Sequence, residues 1–392
     1  PSPTLGGGGS GAAAPAMTAI EVLSWPAWAG AALWLSILFV PWRPWSTREA
    51  LEAPAAPDAT ADLSDVTVLI PARDEAAVIG RTLAALRHQG NGLRVIVIDD
   101  QSGDDTAARA RGSDLDALTV LAGTPPPDGW NGKLWALEQG RARVATPLIL
   151  LLDADIELAP GMIAALRAKR ADGDRAMVSL MAALRMTGFW ERLLMPAFVY
   201  FFKLLYPFRL ANGRAPWMAA AAGGCILIES RALDAIGGFT ALRGALIDDC
   251  ALARRVKGSG RRIWIGLSHG ARSHRRYETL GAIWNMVART AYTQLLYSPA
   301  LLLLCTALMA VLFWAPVASL VAPGTGFAAP LALGAMAASY LPVLLYYRRS
   351  PVWALALPVI GTLFLAMTWT SALRHWRGEG ARWKGRRYTA RA

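Results

Sequence analysis

Stretches of sequence without a charged residue constrain this fold more than any other feature. Residues 22–41, 295–347 and 350–373 contain no Asp, Glu, Lys or Arg and are rich in Leu and Ala. A helix of roughly 20 apolar residues is long enough to cross the hydrocarbon core of a bilayer. The sequence therefore predicts a multi-pass membrane protein that also carries a soluble domain.

The uncharged stretches predict one membrane helix before the soluble domain and three after it. The first occupies residues 19–42, and the C-terminal group, residues 299–373, divides into helices at about 299–322, 328–347 and 351–373. The first helix is predicted to be a retained anchor, because no basic segment precedes it and Pro41-Trp42-Arg43 is typical of an interface rather than of a signal-peptide cleavage site.

The two ends of the chain have biased compositions. Residues 1–16 are rich in Gly, Ala and Pro and are expected to be a linker or an expression remnant. Residues 374–392 form a basic tail.

The charge balance is compatible with two kinds of partner. The 392 residues contain 40 basic and 28 acidic side chains, for a net charge of +12. Such a charge suits nucleic acid or an anionic membrane surface. Because the basic residues are spread out, with no aromatic-interleaved basic motif, we expect anionic lipids and no nucleic acid as partners. The three cysteines form neither a disulfide framework nor a zinc pattern.

Residues 62–275 have the composition of a soluble domain. Apolar strands at 66–70, 94–98, 118–121 and 147–152 alternate with helical patterns such as 75–89 and 134–143. This alternation predicts an α/β domain with a mostly parallel sheet covered by helices on both faces. Ligands of such sheets bind at the carboxyl ends of the strands.

Acidic clusters follow three of these strands. They contain Asp74-Glu75, Asp99-Asp100 and Asp153-Ala154-Asp155. Each alone is compatible with helix capping, but three at one sheet edge favour a ligand site. Residues two apart in an extended segment project to the same side, so Asp153 and Asp155 are candidate ligands of Mg²⁺ or Mn²⁺. Such a metal neutralises a leaving diphosphate.

Other phosphate-binding motifs do not occur at the expected places. The stretch Gly129-Trp130-Asn131-Gly132-Lys133-Leu134 lacks the spacing and the Ser or Thr of a Walker loop, and no dinucleotide-binding glycine motif follows the first strand. Lys133 is predicted either to contact a phosphate or to be an ordinary solvated lysine.

The ordered set of motifs resembles the GT-A domain of family-two glycosyltransferases. The resemblance covers about 65–265 and rests on the three acidic clusters together with Gly132-Lys133, Gly223-Gly224-Cys225, Ile236-Gly237-Gly238-Phe239 and Ile247-Asp248-Asp249. The flanking apolar helices are similar to those of lipid-modifying members. The stretches 129–137 and 244–250 are most similar to glycosyltransferases associated with hopanoid biosynthesis.

The resemblance implies roles for individual residues. A nucleotide sugar, expected to be UDP-linked, would be bound by the following residues: Pro71, Ala72, Arg73, Glu75, Asp100, Lys133, Asp153, Ala154 and Asp155. Asp153 and Asp155 would hold the metal. Asp249, paired with Asp248, would be the general base for an inverting transfer. For the Asp248-Asp249 pair, a helix N-cap is the alternative.

The acceptor side of the site is less strongly specified. Gly223 and Gly224 would allow a sugar or acceptor close to the backbone, or would simply mark a strand entry. Arg289 is a candidate acceptor-binding residue. The Arg-Trp pair that processive and ceramide-type relatives have after the acidic pair does not occur in 285–294. His269 and His274 are candidate third metal ligands, with surface histidines as the alternative.

Two segments are predicted to lie at the membrane surface. Residues 189–208 combine aromatic and aliphatic side chains with Arg192, Lys203 and Arg209, which indicates an interfacial segment, with a buried core helix as the alternative. Residues 276–298 are expected to be an amphipathic connection to the membrane helices.

These observations predict a glycosyltransferase of a bacterial inner membrane that acts on a lipid hydroxyl in hopanoid-linked metabolism. Ceramide or polyprenyl phosphate is the alternative acceptor, and an inactive scaffold or nucleotide-binding protein is the alternative of another class. With 62–275 facing the cytoplasm, four crossings place the basic tail outside, against the positive-inside rule. A bend at Pro358 and Gly361 would instead give three crossings.

Overall fold

The computed structural model describes residues 19–245, 247–321, 327–379, 381–383 and 386–388. The predicted linker 1–16, the boundary between the helices predicted at 299–322 and 328–347, and parts of the basic tail lie outside these ranges. The strands, in chain order, are β1 Val66–Ala72, β2 Arg94–Asp99, β3 Leu118–Ala122, β4 Leu148–Leu152, β5 Ile156–Leu158, β6 Arg175–Ala183, β7 Cys225–Glu229, β8 Arg262–Ser273, β9 Ala381–Trp383 and β10 Arg386–Tyr388.

The helices divide between the sheet domain and the apolar ends of the chain. Those before the C-terminal apolar region are α1 Ala19–Phe39, α2 Ile79–Leu86, α3 Thr106–Arg111, α4 Gly132–Arg141, α5 Met162–Ala171, α6 Phe189–Leu205, α7 Phe208–Ala211, α8 Ser230–Ala235, α9 Asp248–Gly258, α10 Leu280–Ala288 and α11 Ala291–Gln294. The C-terminal ones are α12 Pro299–Met309, which continues through a π-helical turn into α13 Ala315–Ser319, then α14 Ala328–Tyr346 and α15 Leu357–Trp376.

The main sheet has eight strands in the order β3-β2-β1-β4-β7-β6-β8-β5. Strands β3, β2, β1 and β4 are parallel, as predicted, whereas β7 is antiparallel to both β4 and β6 and β5 is antiparallel to β8. The sheet is therefore mixed. Strand order reverses at β1, which pairs with β2 on one side and β4 on the other, so a crevice opens at the carboxyl ends of these strands.

The two faces of the sheet are buried in separate clusters, as helices on both faces require. Along β1, Val68 and Ile70 join one cluster, with α2 and α5, whereas Leu69 joins the other, with α4 and α9. This alternation follows from the two-residue period of a strand. Full burial of such a side chain contributes about 1.5–3 kcal/mol, which explains the continuous apolar strands.

A third cluster joins the sheet domain to the apolar helices. Helix α1 packs against α13 and α14, and the indole Nε1 of Trp34 donates to the carbonyl of Leu312 at 2.8 Å. The hydroxyls of Tyr200, on α6, and Ser339, on α14, are 2.6 Å apart. Helix α6 thus has one face packed against the apolar helices, while Phe189 and Leu205 at its ends are exposed. An interfacial position for this segment stays a prediction.

In the described chain, three helical segments are long and apolar enough to cross a membrane. They are Pro299–Ser319, Ala328–Tyr346 and Pro351–Trp376, and α1 adds a shorter apolar stretch, Trp25–Phe39. The last segment begins as a 3-10 helix, and Pro358 lies in the first turn of α15, where its missing N–H breaks no hydrogen bond. Helix α15 therefore continues past Pro358 and Gly361, where the sequence allowed a bend, and Gly361 faces the ring of Phe313.

Four crossings stay a prediction, with which an uninterrupted α15 is compatible. We expect a tag fused to the C-terminus to be accessible to a membrane-impermeant reagent in intact spheroplasts, because a helix that crosses fully brings the tail outside. A tag that reacts only after permeabilisation would mean three crossings and a cytoplasmic tail. A second tag, inserted in an exposed loop of 62–275, serves as the cytoplasmic control.

Candidate active site

A cavity of about 530 Å³ lies at the carboxyl ends of the central strands. Its walls include most of the residues that the sequence predicted for the site: Pro71, Glu75, Lys133, Asp153, Ala154, Asp155, Gly223, Gly224, Asp248, Asp249 and Arg289. Segments separated by more than 200 residues in sequence therefore meet in one place.

Three predicted donor-binding residues, Ala72, Arg73 and Asp100, are not among the residues that line the cavity. Ala72 and Asp100 are each 1% exposed, and the Asp100 amide donates to the Ala72 carbonyl at 2.8 Å. The guanidinium of Arg73 donates to the Asp100 carbonyl at 2.6 Å. These bonds join the ends of β1 and β2. A direct contact between these three residues and a donor stays a prediction.

Lys133 and Asp153 form an ion pair across the cavity, with Nζ 2.6 Å from Oδ1. Lys133 lies in the first turn of α4, which is capped by the Asn131 side chain. Burial alone would lower the pKa of Lys133, but Asp153, Asp248 and Asp249 together raise it. The pKa of Asp153 is raised, chiefly by burial. Lys133 is thus a partly exposed cation of the site that pairs with Asp153, and not a fully solvated lysine.

Asp155 is held by the end of β8. Its Oδ2 accepts a 2.5 Å hydrogen bond from the Ser273 hydroxyl, and its Oδ1 lies 3.2 Å from the guanidinium of Arg275. The same guanidinium nitrogen is 2.6 Å from Oε1 of Glu75. Neither Ser273 nor Arg275 was predicted from the sequence, because no local motif distinguishes them from surface residues. Only the antiparallel pairing of β5 with β8 brings them to Asp155.

The acidic pair Asp248-Asp249 forms the first turn of α9. Ile247 is the capping position, so the N-cap alternative for these two aspartates is wrong. Burial, with the neighbouring charge of Asp248, raises the pKa of Asp249 to about 7. Gly223 faces this carboxylate, and a Cβ at that position would lie 3.2 Å from Asp249 Oδ2. The close approach explains why glycine occupies position 223.

Neither His269 nor His274 is among the residues that line the cavity. His269 contacts Glu52 through Nδ1 at 2.9 Å and stacks on Tyr346, whereas His274 contacts Glu157 through Nε2 at 2.5 Å. In the part of the chain that the structure describes, no group of three or more His, Cys, Asp or Glu side chains is arranged to hold a metal ion. Asp153 and Asp155 remain a pair of oxygen donors, which fits Mg²⁺ or Mn²⁺ only as a partial shell that substrate phosphates complete.

Part of the cavity lining is apolar. Phe198 and Phe202, one helical turn apart on α6, line the cavity together with Met286 of α10, and Met181 and Leu184 add to this apolar wall. Arg289, just after α10, also lines the cavity. We call the carboxylates at the strand ends the acidic end of the cavity and the apolar side chains of α6 and α10 its apolar end.

Comparisons with known proteins agree with this geometry. The 4,4'-diaponeurosporenoate glycosyltransferase of Staphylococcus aureus (strain USA300) is 38% identical over 92 residues, which is 23% of this chain and 24% of that protein. Its counterpart in Staphylococcus haemolyticus (strain JCSC1435) is 34% identical over 93 residues, 24% of each chain. The matched region thus spans about a quarter of these curated relatives.

Among solved structures, a mannosyltransferase from Pyrobaculum calidifontis, in complex with GDP-Man and Mn²⁺, superposes with a TM-score of 0.54. The superposition covers 90% of this chain and 98% of that one at 20% sequence identity, so it shows a shared fold. The family model for glycosyltransferase like family 2 matches residues 64–293, more than half of the sequence. The chain therefore belongs to the glycosyltransferase-like family 2, and residues 64–293 are its GT-A glycosyltransferase domain.

Proposed function

We propose that this protein transfers a sugar from a nucleotide-sugar donor to a lipid hydroxyl by a metal-assisted, inverting displacement. The observation that carries the proposal is the single cavity that joins the aspartates at the sheet edge to the apolar wall of α6 and α10. Such a cavity suits a charged donor at one end and an apolar acceptor at the other.

The donor's diphosphate belongs at the acidic end, beside Lys133. Asp153 and Asp155 would hold a divalent metal there, which when bound supplies the positive charge that a departing diphosphate needs. Lys133 adds a fixed cation within 2.6 Å of Asp153. Glu75 is buried and lines the cavity, and it would accept hydrogen bonds from the nucleoside. We take the nucleotide to be UDP on the family resemblance.

Asp249 is the proposed general base. A base acts best when its pKa lies near the working pH, and burial brings the pKa of Asp249 to about 7. Asp249 removes the proton from the acceptor hydroxyl, whose oxygen then attacks the anomeric carbon as the diphosphate leaves from the opposite face. Attack opposite the leaving group inverts the configuration.

The apolar wall and its surroundings support a lipid acceptor. Helices α6 and α10 both pack against α15, a candidate membrane span, so this end of the cavity adjoins the predicted bilayer. The similarity to 4,4'-diaponeurosporenoate glycosyltransferases supports a lipid acceptor as well. A hopanoid is the proposed acceptor class on the motif resemblance in 129–137 and 244–250, and a bacterial inner membrane with the domain in the cytoplasm is the proposed location.

The first test concerns the metal site. Asp153→Asn and Asp155→Asn should each lower turnover on the order of 10²-fold or more, because stabilisation of the leaving diphosphate is lost. Turnover is measured by release of UDP from the sugar nucleotide in detergent-solubilised protein. Glu278→Gln, at an exposed site outside the cavity, is the control. Turnover within threefold of wild type in both aspartate variants would disprove the metal assignment. Failure of wild type to bind UDP with Mn²⁺ in a calorimetric titration would favour an inactive scaffold.

The second test concerns the base. Asp249→Asn should abolish transfer while nucleotide affinity stays nearly unchanged, because this carboxylate acts on the acceptor. In wild type, kcat/KM should fall as pH decreases below about 7, since only the deprotonated carboxylate is a base and burial raises its pKa to that value. A flat profile between pH 6 and 8, or a collapse of nucleotide affinity in the variant, would contradict the assignment.

The third test concerns the acceptor. Phe202→Ala should raise the KM for the acceptor on the order of tenfold, because a buried aromatic contact contributes about 1.5–3 kcal/mol. The acceptor is supplied as the hopanoid fraction of a bacterial lipid extract, and its product is identified by mass spectrometry. Leu205→Ala, on the same helix but exposed, is the matched control. Equal effects of both variants, or an effect on nucleotide affinity, would argue against an acceptor between α6 and α10.

A further inference from the structure

The two aspartates predicted to bind metal differ in their surroundings. The Asp153 side chain is 33% exposed and pairs with Lys133 through one oxygen. The Asp155 side chain is only 7% exposed, and both of its oxygens accept from the end of β8, one from Ser273 and one from Arg275. Both oxygens of Asp155 therefore already have a donor in the structure, and a divalent ion at Asp155 would compete with these donors.

Arg275 connects two buried carboxylates. One guanidinium nitrogen lies 2.6 Å from Glu75 Oε1 and 3.2 Å from Asp155 Oδ1. Two carboxylates this close repel each other in a site of low dielectric unless a cation lies between them. In the structure this cation is the guanidinium. It therefore takes the electrostatic role at Asp155 that a bound metal would have.

The segment that carries Arg275 is fixed at both ends. The Ser273 hydroxyl and the His274 amide both donate to Asp155, the latter to its main-chain carbonyl at 2.8 Å. Two residues after Arg275, the Tyr277 amide donates at 2.9 Å to Glu191, a fully buried carboxylate at the start of α6. Arg276, between them, lies 3.6 Å from the exposed Glu278 and is itself 67% exposed. The segment thus directs one arginine inward and its neighbour outward.

We propose that Arg275 provides the positive charge of the metal site when no metal is bound. Its guanidinium competes with a divalent ion for Asp155, and once that ion is bound it contacts the donor's diphosphate. The inference rests on the proposed function, because it assumes a metal and a diphosphate at this cavity. This competition makes the binding of metal and nucleotide interdependent. Without nucleotide, a metal ion must displace Arg275 from Asp155, which opposes metal binding. With nucleotide, the phosphate oxygens give the displaced guanidinium new partners, so the metal binds more readily. Such coupling is reciprocal.

The test compares Arg275→Gln with Arg276→Gln, which removes the same charge from the neighbouring exposed position. Affinity for Mn²⁺ alone is measured by calorimetry on the full chain in detergent, followed by affinity for UDP at saturating Mn²⁺. In Arg275→Gln we expect Mn²⁺ to bind on the order of tenfold more tightly, because a competing charge is lost, and UDP to bind on the order of tenfold more weakly, because a charge-assisted hydrogen bond is lost. Arg276→Gln should leave both affinities within about twofold.

If Arg275 had only a structural role, Arg275→Gln would lower the affinities for Mn²⁺ and UDP together or would change neither. Either result would overturn the proposal. If Arg275→Gln does not fold, the double variant Glu75→Gln/Arg275→Gln removes both partners of the buried ion pair, and tighter Mn²⁺ binding is still expected from it. Failure of the proposed function gives a different result, because wild type would then bind no UDP in the presence of Mn²⁺. If wild type binds UDP with Mn²⁺ but the Mn²⁺ affinity is unchanged in Arg275→Gln and in the double variant, only the role of Arg275 is rejected.

Discussion

The reversal of strand order at β1 is the constraint on which the site depends. Because β1 pairs with β2 on one side and β4 on the other, the loops after these strands separate and leave a crevice between them. Asp153 follows β4, and Glu75 follows β1 by three residues. The topology thus concentrates carboxylates at one sheet edge, where they are partly withdrawn from water.

This concentration of negative charge requires compensation inside the protein. Among the described residues, five carboxylates line the cavity: Glu75, Asp153, Asp155, Asp248 and Asp249. Lys133 is paired with Asp153, and Arg275 connects Asp155 to Glu75, whereas Asp249 responds to burial by a raised pKa. An aspartate with a pKa near 7 is poised to accept a proton, so the same charge crowding that requires the two cations also favours base chemistry.

The second half of the cavity depends on the apolar helices. Helix α6 leaves the sheet domain after β6, presents Phe198 and Phe202 to the cavity, and packs by its other residues against α14 and α15. Its buried Glu191 accepts a hydrogen bond from Tyr277, two residues beyond Arg275. The same helix therefore borders the apolar end of the cavity and anchors the segment that holds Asp155.

The sequence by itself determined the apolar segments, the alternating strands and helices, and the acidic motifs, because hydrophobic period and local motif spacing are written along the chain. It also indicated Asp153, Asp155 and Asp249 through motif order. Only the tertiary structure decided that Lys133 pairs with Asp153, that His269 and His274 contact Glu52 and Glu157, and that the Arg275 guanidinium lies beside Asp155. Arg275 reaches Asp155, 120 positions away, because β8 pairs with β5, and His269 meets Glu52 across 217 positions. No local pattern along the chain encodes contacts over such distances.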